Sequence, residues 1–178
     1  MRRVLDSFHL SIANLSSIPS HLGNLSFLVS LDLSGDNYAG NQPGDLSRLR
    51  RLRFMNFKLN NFTGDIPSWF GSFPELQFLS IRNNSFTGFI PHSLANISKL
   101  ETLELSYNPL QGKIREVMGG LQNLRVLNLQ YNQLTGSMPC SIFNISTLEI
   151  IAPSGNNLPV NLPPDACKMI FQVSEGFI

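Results

Sequence analysis

The chain has 178 residues, a formal net charge of +1 and a charged fraction of 14%, well below the about 25% that is usual for soluble domains. This length permits one domain, which we place at residues 1–178. The basic residues are scattered, so the charge pattern argues against a nucleic-acid partner. The only cluster, which we interpret as a solvated edge rather than an anion site, comprises Arg48, Arg50, Arg51 and Arg53.

Residues 1–21 carry an imperfect version of the pattern that governs the rest of the chain. They fit that pattern if one residue is missing near Ser16. No apolar run follows Arg3 that is long enough for a secretory signal. We therefore expect residues 1–21 to form an irregular N-terminal repeat. The apolar residues that carry the fit are Phe8, Leu10, Leu15 and Ile18.

Residues 22–163 repeat every 24 residues without insertion or deletion. The common form is L-x-x-L-x-L-x-x-N-x-L-x-G-x-φ-P, where φ is apolar. A fixed period of 20–29 residues with this spacing predicts an α/β leucine-rich-repeat solenoid. We expect about seven repeats, a parallel sheet on the concave side and a mostly irregular convex side. The regular units are LVSLDLSGDNYAGNQP from Leu28, LRFMNFKLNNFTGDIP from Leu52, LQFLSIRNNSFTGFIP from Leu76, LETLELSYNPLQGKIR from Leu100, LRVLNLQYNQLTGSMP from Leu124 and LEIIAPSGNNLPVNLP from Leu148.

Equivalent positions of successive units form columns with distinct physical roles. Two apolar columns alternate along each strand and must face inward. An Asn column is predicted to bond main-chain groups where the chain leaves the strand, because Asn offers both a donor and an acceptor. Asp36 replaces Asn in the first unit, so we expect the weakest link there. A Gly column follows, and Pro is expected to end a short second strand. The Asn column is Asn60, Asn84, Asn108, Asn132 and Asn156, and the Gly column is Gly40, Gly64, Gly88, Gly112 and Gly136.

The pattern decays in residues 164–178, which we interpret as a degenerate C-terminal tail. This tail either covers the last coil or is foreign to the repeat, and the sequence leaves both readings open. Cys140 and Cys167 lie 27 residues apart, an offset that favours two free thiols over a disulfide. Two cysteines also supply too few ligands for a metal site.

The L-x-G-x-I-P extension and the return arms SLANIS and SIFNIS resemble the plant-type leucine-rich repeat over about residues 5–163. The resemblance is greatest to ectodomains of plant leucine-rich-repeat receptor-like kinases, especially the large immune-receptor group. It implies a place on the extracellular side of the plasma membrane and signalling in immunity or development. The partners it implies are a protein or peptide ligand, or a microbial pattern, and a co-receptor kinase. The chain has no kinase motif and no apolar span of about 20 residues, so we expect a ligand-recognition fragment that reaches the membrane only through a downstream segment.

The concave face is where recognition is expected, because the scaffold does not dictate its outward residues. Aromatic and Arg side chains are enriched in binding hot spots. The alternative is that β-favouring residues simply populate a sheet face. The predicted ligand-binding residues are Phe54, Asn56, Lys58, Phe78, Arg82, Glu104, Tyr107, Asn128 and Tyr131.

Six N-x-S/T sequons predict N-glycosylation if the chain enters the secretory pathway. Three of them share one column, so part of this signal can belong to the repeat itself. The six are Asn14, Asn24, Asn61, Asn83, Asn96 and Asn144, of which Asn24, Asn96 and Asn144 share the column.

Catalysis is not expected, and neither is a cofactor or a metal. His9, His21 and His92 lack a regular carboxylate or nucleophile neighbour in the repeat, and stacking accounts for every regular position. Two other readings remain beside the receptor fragment. One is a secreted leucine-rich-repeat inhibitor of a microbial cell-wall-degrading enzyme, whose cysteine-paired caps are missing here. The other is a non-functional gene fragment.

Overall fold

The computed structural model describes residues 7–9 and 16–159. Several predictions made from the sequence lie outside these residues. They concern the sequon at Asn14, the pairing of Cys167 and the tail at 164–178. The overall bounds of the domain likewise stay a prediction.

Parallel strands of three residues form the concave sheet, one from each coil. Neighbouring strands pair residues 24 apart, as in Leu31 with Met55 and Met55 with Leu79. The first pair is shorter by one, since Phe8 pairs with Leu31, which agrees with the prediction that the first unit lacks one residue. The strands are β1 (Ser7–His9), β2 (Ser30–Asp32), β4 (Phe54–Asn56), β6 (Phe78–Ser80), β8 (Thr102–Glu104), β10 (Val126–Asn128) and β12 (Ile150–Ala152).

Second strands follow the concave strands in five coils. They build a three-stranded sheet from β3 (Ala39–Gly40), β5 (Asn61–Asp65) and β7 (Ser85–Thr87), and a two-stranded sheet from β9 (Gln111–Lys113) and β11 (Gln133–Thr135). Pro does not end these strands as expected. Instead Pro67, with φ of −63° and ψ of 133°, is the residue immediately before a helix, an extended position that suits the fixed φ of Pro.

Short helices occupy the convex side, so the prediction of a mostly irregular convex side is wrong. Within the described residues, each return arm contains one helical turn, and the spaced apolar residues of the arm form its buried face. The 3₁₀ helices are Ser20–Asn24, Gly44–Arg48, Ser68–Ser72, His92–Asn96 and Glu116–Gly120, and the last turn is the α-helix α1 (Cys140–Phe143).

The inward columns form one continuous core, as predicted. Within coils two to six the strand and return-arm columns are almost completely buried, as Leu79 and Phe70 illustrate. A third buried column, at or beside the second strands, fills the space between the concave-strand column and the return-arm column. It includes Tyr38, Phe62 and Phe86, whose rings lie 6.1 and 6.2 Å apart between neighbours.

The Asn column ties each coil to the one before it. The Nδ2 of Asn108 donates to the carbonyl oxygens of Ile81, Leu105 and Ser106 at 3.0, 3.1 and 3.1 Å. Its Oδ1 accepts the N–H of Phe86 at 3.1 Å. One side chain therefore satisfies main-chain groups on two coils that would otherwise be buried without partners. The predicted ladder is confirmed, and the same pattern recurs at Asn60, Asn84, Asn132 and Asn156.

The Gly column serves both a backbone and a packing need. Gly112 has φ of +75°, which only Gly adopts without cost. A β-carbon there would also overlap the Phe89 ring of the preceding coil. At Gly88 the obstacle would be the Asp65 carboxylate. In both coils, the space that a β-carbon would need is already filled by a side chain of the preceding coil. That side chain belongs to the residue that follows the equivalent Gly.

Asp36 is the predicted weak link. Its Oδ2 is buried, and no described residue hydrogen-bonds it, whereas Asn60 fills the equivalent place with a donor. Burial raises the pKa of the Tyr38 hydroxyl, and the Asp36 carboxylate nearby raises it further. An acceptor thus occupies a place where the repeat supplies a donor.

Asp36→Asn should raise the free energy of unfolding by about 1–3 kcal/mol, because it converts an unsatisfied buried acceptor into a ladder amide. Denaturant titration of the full chain measures the change. Asp65→Asn is the matched control, since Asp65 is exposed and should change stability by only a few tenths of a kcal/mol. Equal stability of Asp36→Asn and the wild type would contradict the assignment.

Candidate functional site

The first outward row of the concave sheet carries an aromatic pair. Phe54 and Phe78 occupy the same position on neighbouring strands. Their rings are stacked 4.5 Å apart with an interplanar angle of 11°. Both are half-buried, so the pair offers apolar edges at the surface. Thr102 continues the row on the next strand.

The second outward row of the concave sheet contains Asn56, which was predicted to be exposed. Its side chain instead makes hydrogen bonds within the scaffold. Asn56 is only 4% exposed. Its Nδ2 donates to Asp32 Oδ1 at 3.1 Å, and its Oδ1 accepts the N–H of Lys58 at 3.3 Å. The expectation of an exposed Asn56 is therefore wrong, because its polar groups hold the end of the strand.

Glu104 and Asn128 show the same arrangement two coils further on. Glu104 Oε1 accepts the N–H and Oγ of Ser106 at 3.2 and 2.6 Å. Asn128 donates to Glu104 Oε2 at 3.1 Å and accepts the N–H of Gln130 at 3.0 Å. These contacts hold both side chains in place within the scaffold, although each is still partly exposed.

The third part of the site is a stack that crosses three coils. The Arg82 guanidinium carbon lies 5.2 Å from the centre of the Tyr107 ring, within cation–π range. Tyr107 and Tyr131 are stacked 4.5 Å apart at 24°. The Tyr131 ring in turn covers Gly155. Arg82 and Lys58 are the two cations predicted for this face, and both are exposed. The Tyr107 ring orients the Arg82 guanidinium.

These tyrosines belong to a column with left-handed backbone. Leu59, Asn83, Tyr107 and Tyr131 have φ of 58°, 55°, 57° and 53°. This region is unfavourable for large L-residues, and all four side chains are exposed. Costly backbone conformations persist where function requires them, so we add Leu59 to the candidate surface. Two members of the column signal this conformation in the sequence, namely Gly35 and Gly155.

The remaining predicted features lie away from this face. Arg48 pairs with Asp45 at 3.0 Å on the convex side, and the neighbouring arginines are exposed, consistent with a solvated edge. The described sequon asparagines are all exposed, and their glycosylation stays a prediction. They are Asn24, Asn61, Asn83, Asn96 and Asn144.

Within 16–159, no group of three or more His, Cys, Asp or Glu side chains could hold a metal ion. His21 and His92 are exposed. No helix in the described part of the chain is long and apolar enough to cross a membrane.

Comparison with known proteins decides the family. A family model described as "Leucine rich repeat" matches residues 50–110, and a second of the same description matches 123–145. The BIR3–SERK2 complex from Arabidopsis thaliana aligns with 32% identity and a TM-score of 0.65, over 72% of this chain and 68% of that chain. The chain belongs to the plant-type leucine-rich-repeat family. Its fold class is therefore as the repeat predicted.

Other solved structures cover this leucine-rich-repeat chain but are much longer. The Arabidopsis receptor kinase HAESA, solved with the peptide hormone IDA and the co-receptor SERK1, aligns with 38% identity and a TM-score of 0.81. The alignment covers 86% of this chain and 26% of that chain, so this chain spans about a quarter of its length. The plant peptide hormone receptor RGFR1 aligns with 30% identity and a TM-score of 0.76, over 80% of this chain and 23% of that one. Among curated proteins, none matches the sequence.

The solenoid also occurs outside receptors. A plant ice-binding protein aligns with 26% identity and a TM-score of 0.74, over 82% of this chain and 55% of that chain. The fold of a leucine-rich-repeat protein therefore does not fix its function, which must be argued from the surface.

Leu59→Asn should raise the free energy of unfolding by up to about 1 kcal/mol, because Asn tolerates left-handed backbone better than Leu. Leu59 is 50% exposed, so little burial is lost. Val117→Asn, at an equally exposed position without positive φ, serves as the control in the same denaturant titration. A loss of stability in Leu59→Asn equal to that of the control would show that the left-handed backbone costs nothing here.

Proposed function

We propose that this chain is a ligand-recognition part of a plant receptor-kinase ectodomain, exposed on the extracellular side, and that it binds a peptide on its concave face. The observation that carries the proposal is the pairing of two aromatic stacks with a ring-oriented cation. Aromatic residues and Arg are the types that dominate binding energy. The solved complexes of HAESA with a peptide hormone and a co-receptor support the same class of partner.

The two stacks offer complementary contacts. Phe54 and Phe78 present apolar edges for a side chain, while Arg82 presents N–H donors beside Tyr107. A guanidinium binds a carboxylate through two parallel hydrogen bonds, which an ammonium cannot do. The patch thus suits a peptide segment that carries a carboxylate and an apolar residue. A co-receptor kinase would bind the composite surface of ectodomain and peptide.

The proposal is tested with a library of synthetic peptides, each made with a free and an amidated C-terminus. Peptides retained by the secreted chain after enzymatic removal of its glycans are titrated by calorimetry against this chain and against Phe78→Ala and Arg82→Ala treated in the same way. We expect each variant to lose about 2 kcal/mol or more, the range of a hot spot. Arg82→Lys should weaken free-carboxylate peptides more than amidated ones.

Gln122→Ala is the control, because Gln122 is exposed near the convex helix and its side chain donates only to the main-chain oxygen of Gly119. It should bind as the wild type does. If Phe78→Ala and Arg82→Ala also bind like this control, recognition does not use the concave face.

A further inference from the structure

One sequon lies inside the proposed binding surface. Asn83, Asn84 and Ser85 satisfy the N-x-S pattern. The other described sequon asparagines lie at convex helix ends or, for Asn61, at the start of β5. Asn83 alone belongs to the left-handed column of the concave edge.

The backbone places Asn83 directly beside Tyr107. The N–H of Asn83 donates to Ser106 O at 2.9 Å, and the N–H of Asn84 donates to Tyr107 O at 3.2 Å. Asn83 and Tyr107 have nearly the same φ, 55° and 57°, so their β-carbons leave the coil in the same direction. The Asn83 side chain is exposed. A group attached to its Nδ2 would therefore stand next to the Arg82 guanidinium, which lies over Tyr107.

Backbone preference explains only half of this sequon. Asn tolerates left-handed φ better than other non-glycine residues, which accounts for Asn83. Ser85 has no such reason, since it is exposed on β7, and equivalent places hold Asn61 and Gln133. Asn84 between them is half-buried, and its side chain belongs to the ladder. The hydroxyl two residues after Asn83 is the residue that completes the modification site.

We propose that an N-linked glycan on Asn83 covers the stack of Arg82, Tyr107 and Tyr131, so that occupancy of this sequon determines whether the concave edge admits a ligand. The regulatory part of this inference rests on the proposed function. The covering itself does not, because it follows from the position of Asn83. An occupied site would exclude a peptide sterically, and an unoccupied one would leave the cation and the rings exposed.

The chain contains three tyrosines, which makes the covering measurable without a ligand. Tyr107 and Tyr131 are 39% and 54% exposed, and Tyr38 is 0% exposed. The full chain, secreted from plant cells behind a cleavable leader, is treated with tetranitromethane. Mass spectrometry then gives the nitration rate of each tyrosine and the glycan occupancy of Asn83. Tyr38 should stay unmodified in every sample and reports that the fold is intact.

Ser85→Ala removes the sequon and should increase the nitration rates of Tyr107 and Tyr131 several-fold. Enzymatic removal of glycans from the wild type should do the same. Ser85→Thr keeps the sequon and should behave as the wild type. Ser98→Ala, which removes only the sequon of the convex Asn96, should leave both rates unchanged.

Two results would overturn the inference. One is an Asn83 that carries no glycan in the secreted wild type, and the other is an occupied Asn83 whose removal leaves both tyrosine rates unchanged. Failure of the proposed function looks different. In that case the nitration rates respond to Ser85→Ala, while no peptide binds either the glycosylated or the unglycosylated chain. Equal peptide binding by the two forms would overturn the regulatory part of the inference alone.

Discussion

The ladder of asparagine side chains is the interaction on which the other features depend. At the end of each concave strand the main chain turns outward, and its carbonyl and N–H groups lose their strand partners. A single amide supplies both a donor and an acceptor at this point, and it serves two coils at once. Asn108, for example, bonds Ile81 and Phe86 of the preceding coil as well as its own. The coils are thereby held at one spacing, and the apolar columns can stack without gaps.

The binding surface is a consequence of that turn. To bring the ladder side chain inward, the residue before it takes left-handed backbone, as Leu59, Tyr107 and Tyr131 do. That conformation costs about 1–2 kcal/mol for an L-residue, and Gly35 and Gly155 avoid the cost at equivalent places. Where the cost is accepted, a large side chain stands at the concave edge. The free energy gained from the Asn ladder and from core burial offsets this backbone strain. The strained residues are the exposed ones that are available to bind a ligand.

The sequence predicted the scaffold well because the repeat constrains it at every unit. The inward columns, the Asn ladder and the one-residue irregularity near Ser16 all followed from the period. The convex helices were missed, since each is a single turn that needs only spaced apolar residues, in most coils after a Pro, without the caps or length that reveal a longer helix. Pro67 marks such a helix, not the end of a strand.

The site was predicted only in part. Alternation along a strand separates inward from outward residues, and it correctly placed Phe54 and Phe78 at the surface. Alternation does not reveal that the Asn56 side chain accepts a hydrogen bond from the main-chain N–H of Lys58, two residues later. Leu59 was absent from the predicted set because that set favoured aromatic and polar side chains, whereas Leu59 is added for the backbone angle that it shares with Tyr107 and Tyr131. The glycines at the two ends of its column were the available signal.

Native-state hydrogen exchange of Asn108→Leu tests the central role of the ladder most directly. The Phe86 amide, which donates to Asn108 Oδ1, should lose about 1–3 kcal/mol of protection when its acceptor is removed. The Leu134 amide, which donates to Asn156 Oδ1, should be affected less, because coils interact mainly with their neighbours. A Phe86 amide that exchanges as slowly in the variant as in the wild type would show that the ladder does not hold the coils together.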